Sequence, residues 1–159
     1  MKFQSSMIVV EDIARSRAFY EGLLGQTVES DYGENVSFCG GFAIQQRALW
    51  QEFIGAEHAI SQGKTHNFEL YFEEDELDAF LQRLAGAEVE YVAPLVTHGW
   101  GQRVIRFYDP DGNMVEVGES FETVVRRFLQ EGYSIEQAAQ KTQQSIAFVQ
   151  ECQNKMQRR

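Results

Sequence analysis

Glu69 and Glu116 are the two carboxylates in this sequence whose settings could support proton transfer. Glu116 lies between Val115 and Val117, two core-type residues, so strand alternation turns its side chain to the opposite face. Glu69 alternates with Phe68 and Leu70 and shares its face with Tyr71. Two carboxylates in one cleft raise one another's pKa and can divide the roles of acid and base; the same pair is also consistent with simple solvation. A buried carboxylate needs a partner. A turn over residues 109–112 would set Glu116 opposite Ile105, with Arg103 two residues along on the same face as that partner. A second group is Thr97-His98-Gly99-Trp100-Gly101. Glycines on both sides of Trp100 predict a loop that offers an aromatic surface to a flat ligand, although a tryptophan anchored in the core fits equally well. His98 adds a group that titrates near neutral pH. The candidate catalytic residues are therefore Glu69, Glu116 and His98. Tyr71, Trp100 and Arg103 join the glutamates as candidate ligand contacts. A cleft this rich in carboxylates favours a neutral or cationic ligand. There is no nucleophile elbow, phosphate-binding loop or dinucleotide fingerprint, and His58 has no partner signal.

The elements that must position these residues occur in a repeated order. Residues 3–10 form an apolar strand, Asp12 caps a helix striped with Ile13, Ala14, Ala18, Phe19, Tyr20, Leu23 and Leu24, and Gly25 stops it. Strands over 26–30, 35–39 and 42–46 follow, separated by turn residues. The order then recurs: a strand over 67–72, an Asp75-capped helix with Leu77, Phe80, Leu81 and Leu84 closed by Gly86, and strands over 88–92, 103–108 and 113–118. Asp109-Pro110-Asp111-Gly112 joins the last two as a hairpin signal. Leu24-Gly25-Gln26-Thr27-Val28-Glu29 aligns with Ala85-Gly86-Ala87-Glu88-Val89-Glu90 at an offset of 61 residues. The fold class is α+β: two β-α-β-β-β modules, over 1–46 and 66–119, joined by a linker over 47–65 with room for one helical turn. Each module sets a helix on one face of a curved sheet and leaves the concave face for a cleft.

A helical extension over 120–159 follows this 1–119 domain. Phe121, Val124, Val125, Phe128 and Leu129 share a stripe too apolar to stay exposed, Ser134 and Gln137 form a capping box, and Ser145 caps a last helix over 146–156. Residues 1–119 carry 8 basic and 20 acidic side chains, and 120–159 carry 6 and 4, for a chain total of −10. That charge opposes nucleic acid and anionic membranes as partners. The tail's helix spacing is also found in DNA readers, but its Gln-rich connection and net charge of +2 favour packing on the body or in a dimer. No apolar run approaches the roughly 20 residues that cross a bilayer. The N-terminal residues lack a signal-peptide core, and Cys39 and Cys152 are too few for a disulfide framework. These features together predict a cytoplasmic protein with two structural thiols.

Val9-Val10-Glu11-Asp12-Ile13-Ala14-Arg15-Ser16 leading into Phe19-Tyr20-Glu21-Gly22-Leu23-Leu24-Gly25 resembles the vicinal oxygen chelate superfamily, which includes glyoxalases, bleomycin-resistance proteins and dioxygenases. So does Trp100-Gly101-Gln102-Arg103 followed by Phe107-Tyr108-Asp109-Pro110-Asp111-Gly112-Asn113 and Val115-Glu116-Val117. The resemblance covers residues 3–118. It implies a cleft between paired sheets and a homodimer. Metal ligands in that family lie on the first and last strands of each module. The corresponding positions here are Ser5, Gln45, Asn67 and Glu116, of which only Glu116 is a good ligand. Gln45 thereby joins the ligand-binding candidates. A one-residue slip would replace Asn67 by His66, at the cost of turning Phe68 and Leu70 into the cleft.

The resulting expectation is a glyoxalase/bleomycin-resistance-type protein that binds a small molecule without metal. The alternatives are a metal-dependent lyase, isomerase or dioxygenase of the same superfamily, with a divalent metal as cofactor, and an interaction protein that assembles through its tail. Elemental analysis of the purified protein separates the first two. The neutral side chains of Ser5, Gln45 and Asn67 predict no stoichiometric divalent ion, and a tightly held metal on Glu116 and His66 would reverse that order.

Overall fold

The structure, a computed structural model, describes residues 1–61 and 63–158. Gln62, in the predicted linker, and Arg159, at the end of the tail, lie outside the described residues. Contacts divide the chain into two compact units. The first comprises Met1–Glu69, Arg83–Glu90 and Tyr108–Met114, and the second Leu70–Gln82, Tyr91–Phe107 and Val115–Arg159.

In the first unit, β1 (Ser6–Val10) leads into α1 (Ile13–Ala18), which continues as a π-helical turn over Phe19–Leu23. Asp12 caps α1 by accepting the Arg15 N–H at 3.0 Å. Gly25 follows at φ 62°, a conformation that suits glycine. β2 (Val28–Asp31), β3 (Asn35–Phe38) and β4 (Phe42–Gln46) complete a sheet of order β1-β4-β3-β2, with β1 parallel to β4. Alternation sends Ile8, Val10, Val36, Phe38, Phe42 and Ile44 into the core around Tyr20. The linker holds more than the one helical turn expected. α2 (Arg47–Ile54) is capped by the Gln46 side chain and ends at Gly55, φ 91°.

The Asp109–Asn113 loop anchors this unit. Asp109 is buried and accepts four hydrogen bonds: from the Tyr20 hydroxyl at 2.8 Å, the backbone of Asp111 and Asn113 at 2.9 and 2.8 Å, and Asn113 Nδ2 at 2.9 Å. Burial pushes its carboxyl upward in pKa, and the bonds from Asn113, Tyr20 and Asp111 oppose that rise. Asp111 accepts from Glu11 N, the Arg15 guanidinium and the Ser16 hydroxyl. Cys39 is exposed and free, so it does not play the structural role expected of it; Cys152 is buried.

The second sheet has the order β5-β8-β7-β6, formed by β5 (Glu69–Glu74), β6 (Tyr91–Thr97), β7 (Arg103–Tyr108) and β8 (Met114–Glu119). β5 and β6 start two and three residues later than the apolar patterning suggests. α3 (Leu77–Ala85) buries Leu77 and Phe80, and the Phe80 ring lies 6.2 Å from that of Phe107. The tail follows as α4 (Phe121–Gln130), α5 (Ile135–Thr142) and α6 (Ile146–Gln157), capped by Ser120, Ser134 and Ser145. The capping box between Ser134 and Gln137 is present. Val124, Val125 and Phe128 are covered by Ala138, Ala139, Val149 and Cys152, so the tail buries much of its apolar stripe within the chain. Among the described residues no helix is long and apolar enough to cross a membrane.

Tyr20→Phe keeps the ring packing and removes one donor from a buried carboxylate. It should cost about 1–3 kcal/mol in chemical denaturation. An unchanged midpoint would show that the Asp109 loop does not depend on this bond.

Candidate functional site

Strand β8 presents different chemistry on its two faces. On one face Glu116, 6% exposed, forms an ion pair with Arg106. Gly118 lies two residues along on the same face. A Cβ there would meet Gln102 Nε2 at 2.9 Å, Tyr71 Cε2 at 3.2 Å and Val104 Cγ1 at 3.2 Å, so the missing side chain is what lets these groups lie over the strand. Gln102, 3% exposed, is the hub. Its amide N–H groups donate to the Tyr71 hydroxyl at 2.7 Å and to the Glu119 carbonyl at 2.8 Å. Its carbonyl accepts the Trp100 indole N–H at 3.0 Å. The Tyr71 hydroxyl in turn donates to Glu73 at 3.1 Å. Trp100 stacks on His98, with ring centroids 4.3 Å apart and planes 20° from parallel. Both belong to the loop after β6, as the flanking glycines predict.

Tyr71 is 44% exposed, with its hydroxyl held in this chain. Its pKa is pushed up to about 12, first by burial, against the Gln102 hydrogen bond and with help from the Glu73 and Glu116 charges. The phenol is therefore neutral at physiological pH and able both to donate and to accept a hydrogen bond.

The opposite face of β8 carries Glu119, 1% exposed. It accepts Arg103 Nε at 2.9 Å, Arg103 Nη2 at 2.8 Å, the Arg103 backbone N–H at 3.1 Å and Arg127 Nη1 at 2.7 Å. Arg103 also binds Asp78 at 2.8 Å. The expected Arg103–Glu116 pair is thus replaced by two others, Arg106–Glu116 and Arg103–Glu119. The cause is loop length. The Asp109 N–H bonds to the Asn113 carbonyl at 2.9 Å, closing the hairpin one residue later than a 109–112 turn would. A one-residue change moves each side chain to the other face.

The remaining candidates occupy separate settings. Gln45 is buried on β4 of the first unit, where its carbonyl accepts Asn35 Nδ2 and its amide donates to the Glu34 carbonyl, both at 2.9 Å. Glu69 opens β5 and is exposed. Ser5 donates to the adjacent Ser6 carbonyl, and Asn67 lies ahead of β5, where it accepts from Thr65 at 2.6 Å. His66, at φ 56°, reaches the Tyr108 hydroxyl at 2.5 Å. These donors do not suit a resident divalent metal: the Gln45 amide is satisfied within its own sheet, and the Glu116 charge is matched by a guanidinium. Among the described residues no three His, Cys, Asp or Glu side chains form a metal-holding group. Gln102 and Arg106 were missed as site residues. Counting the loop as five residues rather than four would have found Arg106.

Glu119 offers a pH test. Burial works to raise its carboxyl, but the hydrogen bonds from Arg103 and Arg127 outweigh burial and hold it below the ordinary glutamate range. A carboxyl depressed in the folded state stabilises fully above its unfolded pKa, and that stabilisation is lost as pH falls through the folded value. Glu119→Gln should cost about 1–3 kcal/mol at neutral pH and flatten the acid limb of the stability profile. Parallel profiles for the two proteins would rule out this linkage.

Comparison with known proteins bears on this geometry. The sequence model of a glyoxalase-like domain matches residues 3–122. A crystal structure of a protein of unknown function from Agrobacterium tumefaciens shares 42% identity over 76% of this chain and 94% of its own, with a TM-score of 0.69. A lactoylglutathione lyase from the same organism shares 24% identity over 75% of this chain and 93% of its own, at TM-score 0.56. A fosfomycin resistance protein from Listeria monocytogenes shares 20% over 76% and 93%, at 0.55, and like the lyase it supports the fold alone. No curated protein matches the chain.

Proposed function

The chain belongs to the glyoxalase-like family, and we propose that it binds a neutral or cationic small molecule on the sheet face where Tyr71 of β5 and Arg106 of β7 stand beside Glu116 of β8. The observation that carries this reading is the buried Gln102 amide, which fixes the Tyr71 hydroxyl and the Trp100 indole in one hydrogen-bonded chain. Polar groups oriented in advance beside an aromatic surface are what a small ligand site requires. Among these described residues, Glu73 and Glu116 outnumber Arg106, which leaves this group net negative. That balance disfavours anions. The neutral Tyr71 phenol would orient a ligand oxygen or nitrogen, and the Trp100–His98 stack would cover a flat apolar portion. This assigns binding and orientation to named residues and no bond-making step to any of them.

The test is a ligand screen read by Trp100 fluorescence in a Trp50→Phe background, using sets of neutral, cationic and anionic small molecules. Hits should come from the first two sets. Trp100→Ala and Tyr71→Phe, followed by calorimetry, should each weaken a hit by about tenfold, close to 1.4 kcal/mol. Tyr71→Phe keeps the ring but removes the acceptor of one Gln102 N–H, so its stability loss should stay within about 1–3 kcal/mol. Hits confined to anions, or affinities untouched by both substitutions, would overturn the assignment. Affinity that appears only with an added divalent ion would favour the metal-dependent reading.

A further inference from the structure

The opposite face of β8 holds an arginine group that the proposed binding reading leaves unused. α4 places Thr123, Arg126, Arg127 and Gln130 at i, i+3, i+4 and i+7, one helical face, while Val124, Val125 and Phe128 turn to the tail core. Together with Arg103 and Glu119 these four residues line a cavity of about 280 Å³. Glu119 holds two of the three guanidiniums in place: Arg103 by two side-chain bonds and Arg127 by one. Arg127 is fixed further by the Gly101 carbonyl at 2.5 Å, and Arg103 by Asp78. Arg126 is half-buried and, among the described residues, has no carboxylate partner. Three guanidiniums against Glu119 and Asp78 leave an excess of one positive charge, in a chain whose net charge is −10.

A half-buried arginine with an unused fork, lining the same cavity as two others oriented by a buried carboxylate, is suited to an oxyanion. The planar fork matches the paired oxygens of a phosphate or carboxylate. We propose that this cavity binds a small phosphate- or carboxylate-bearing molecule, with Arg126 as its main donor and Arg127 and Thr123 beside it. The volume lies just below the range of small-molecule sites, roughly 300 to 1,000 Å³, so the occupant is a compact anion or the anionic end of a metabolite. The anion must be captured locally, because the field of the whole acidic chain repels it. This site is separate from the Tyr71 face and stands or falls independently of it.

The experiment titrates the full chain with inorganic phosphate and with malonate at constant ionic strength, following the arginine Nε–H resonances. Arg126 should shift saturably with at least one of them. A preference for phosphate or for malonate then identifies which kind of oxyanion the site takes. Arg126→Gln should weaken binding about tenfold or more, consistent with loss of a charge-assisted fork. Its melting temperature should be unchanged, because Arg126 has no ion pair to lose. Arg126→Lys, which keeps the charge without the fork, should fall between the two. No saturable shift with either probe, or equal affinity in wild type and Arg126→Gln, would show that Arg126 is only a solvated residue on α4 and would overturn the proposal.

Discussion

The buried carboxylate of Asp109 is the constraint on which the site geometry depends. Its four hydrogen bonds tie the loop to itself through Asp111 and Asn113, and to Tyr20 on the π-helical turn after α1. A buried acceptor of this kind tolerates few alternatives, since each lost donor exposes an unsatisfied oxygen. The loop that satisfies it spans five residues, and loop length sets the register of the strands on either side. The same loop joins β7 to β8, and the pairs found on those strands are Arg106–Glu116 and Arg103–Glu119.

Register then assigns the two faces of β8 to separate tasks. Glu116 and Gly118 belong to one face. The carboxylate takes Arg106 as its counterion, and the glycine leaves room for Gln102 and Tyr71. Glu119 belongs to the other face and gathers Arg103 and Arg127. Its backbone carbonyl nevertheless accepts from Gln102, so a single residue supports the hydrogen-bonded chain on one side and the arginine group on the other. Gly101 contributes to this arrangement as well. At φ 90° it sits so close to the Phe128 ring that any side chain would collide with it, which seats the Trp100 loop against α4.

Much of this architecture was legible in the sequence because its signals are local. Asp12, Ser134 and Ser145 each precede an apolar stripe of helical period, and each caps a helix. The alternation in residues 69–74 placed Tyr71 away from Leu70 and the core. The glycine-flanked Trp100 was expected in a loop and lies in one. The failures arise where a distant contact decides a local choice. Asp-Pro-Asp-Gly is a good four-residue turn considered alone, and only the Asp109–Tyr20 bond, between residues 89 apart, accompanies the longer loop. The length of α2 was underestimated because its cap is a glutamine, Gln46, which is not among the residue types that mark helix starts. Gln102 carries no signal at all in sequence: a polar residue beside a charged one predicts exposure, and its burial depends on three partners from three different segments.

The chemistry of the site follows from how buried carboxylates are neutralised. A carboxylate withdrawn from water requires a positive partner, and a metal ion or a guanidinium can fill that role. At Glu116 the partner is Arg106. A guanidinium does not supply the Lewis acidity of a metal, but it holds its carboxylate in place, while burial keeps the nearby Tyr71 phenol neutral. The face is thereby suited to hydrogen-bond recognition. The same solution recurs at Glu119 with two arginines, so the hairpin, itself part of an acidic body, draws its cations from β7 and α4 rather than from solution. Of the six basic side chains of the tail, Arg126 and Arg127 stand on the helix that follows Glu119, and Arg127 is the one that pairs with it.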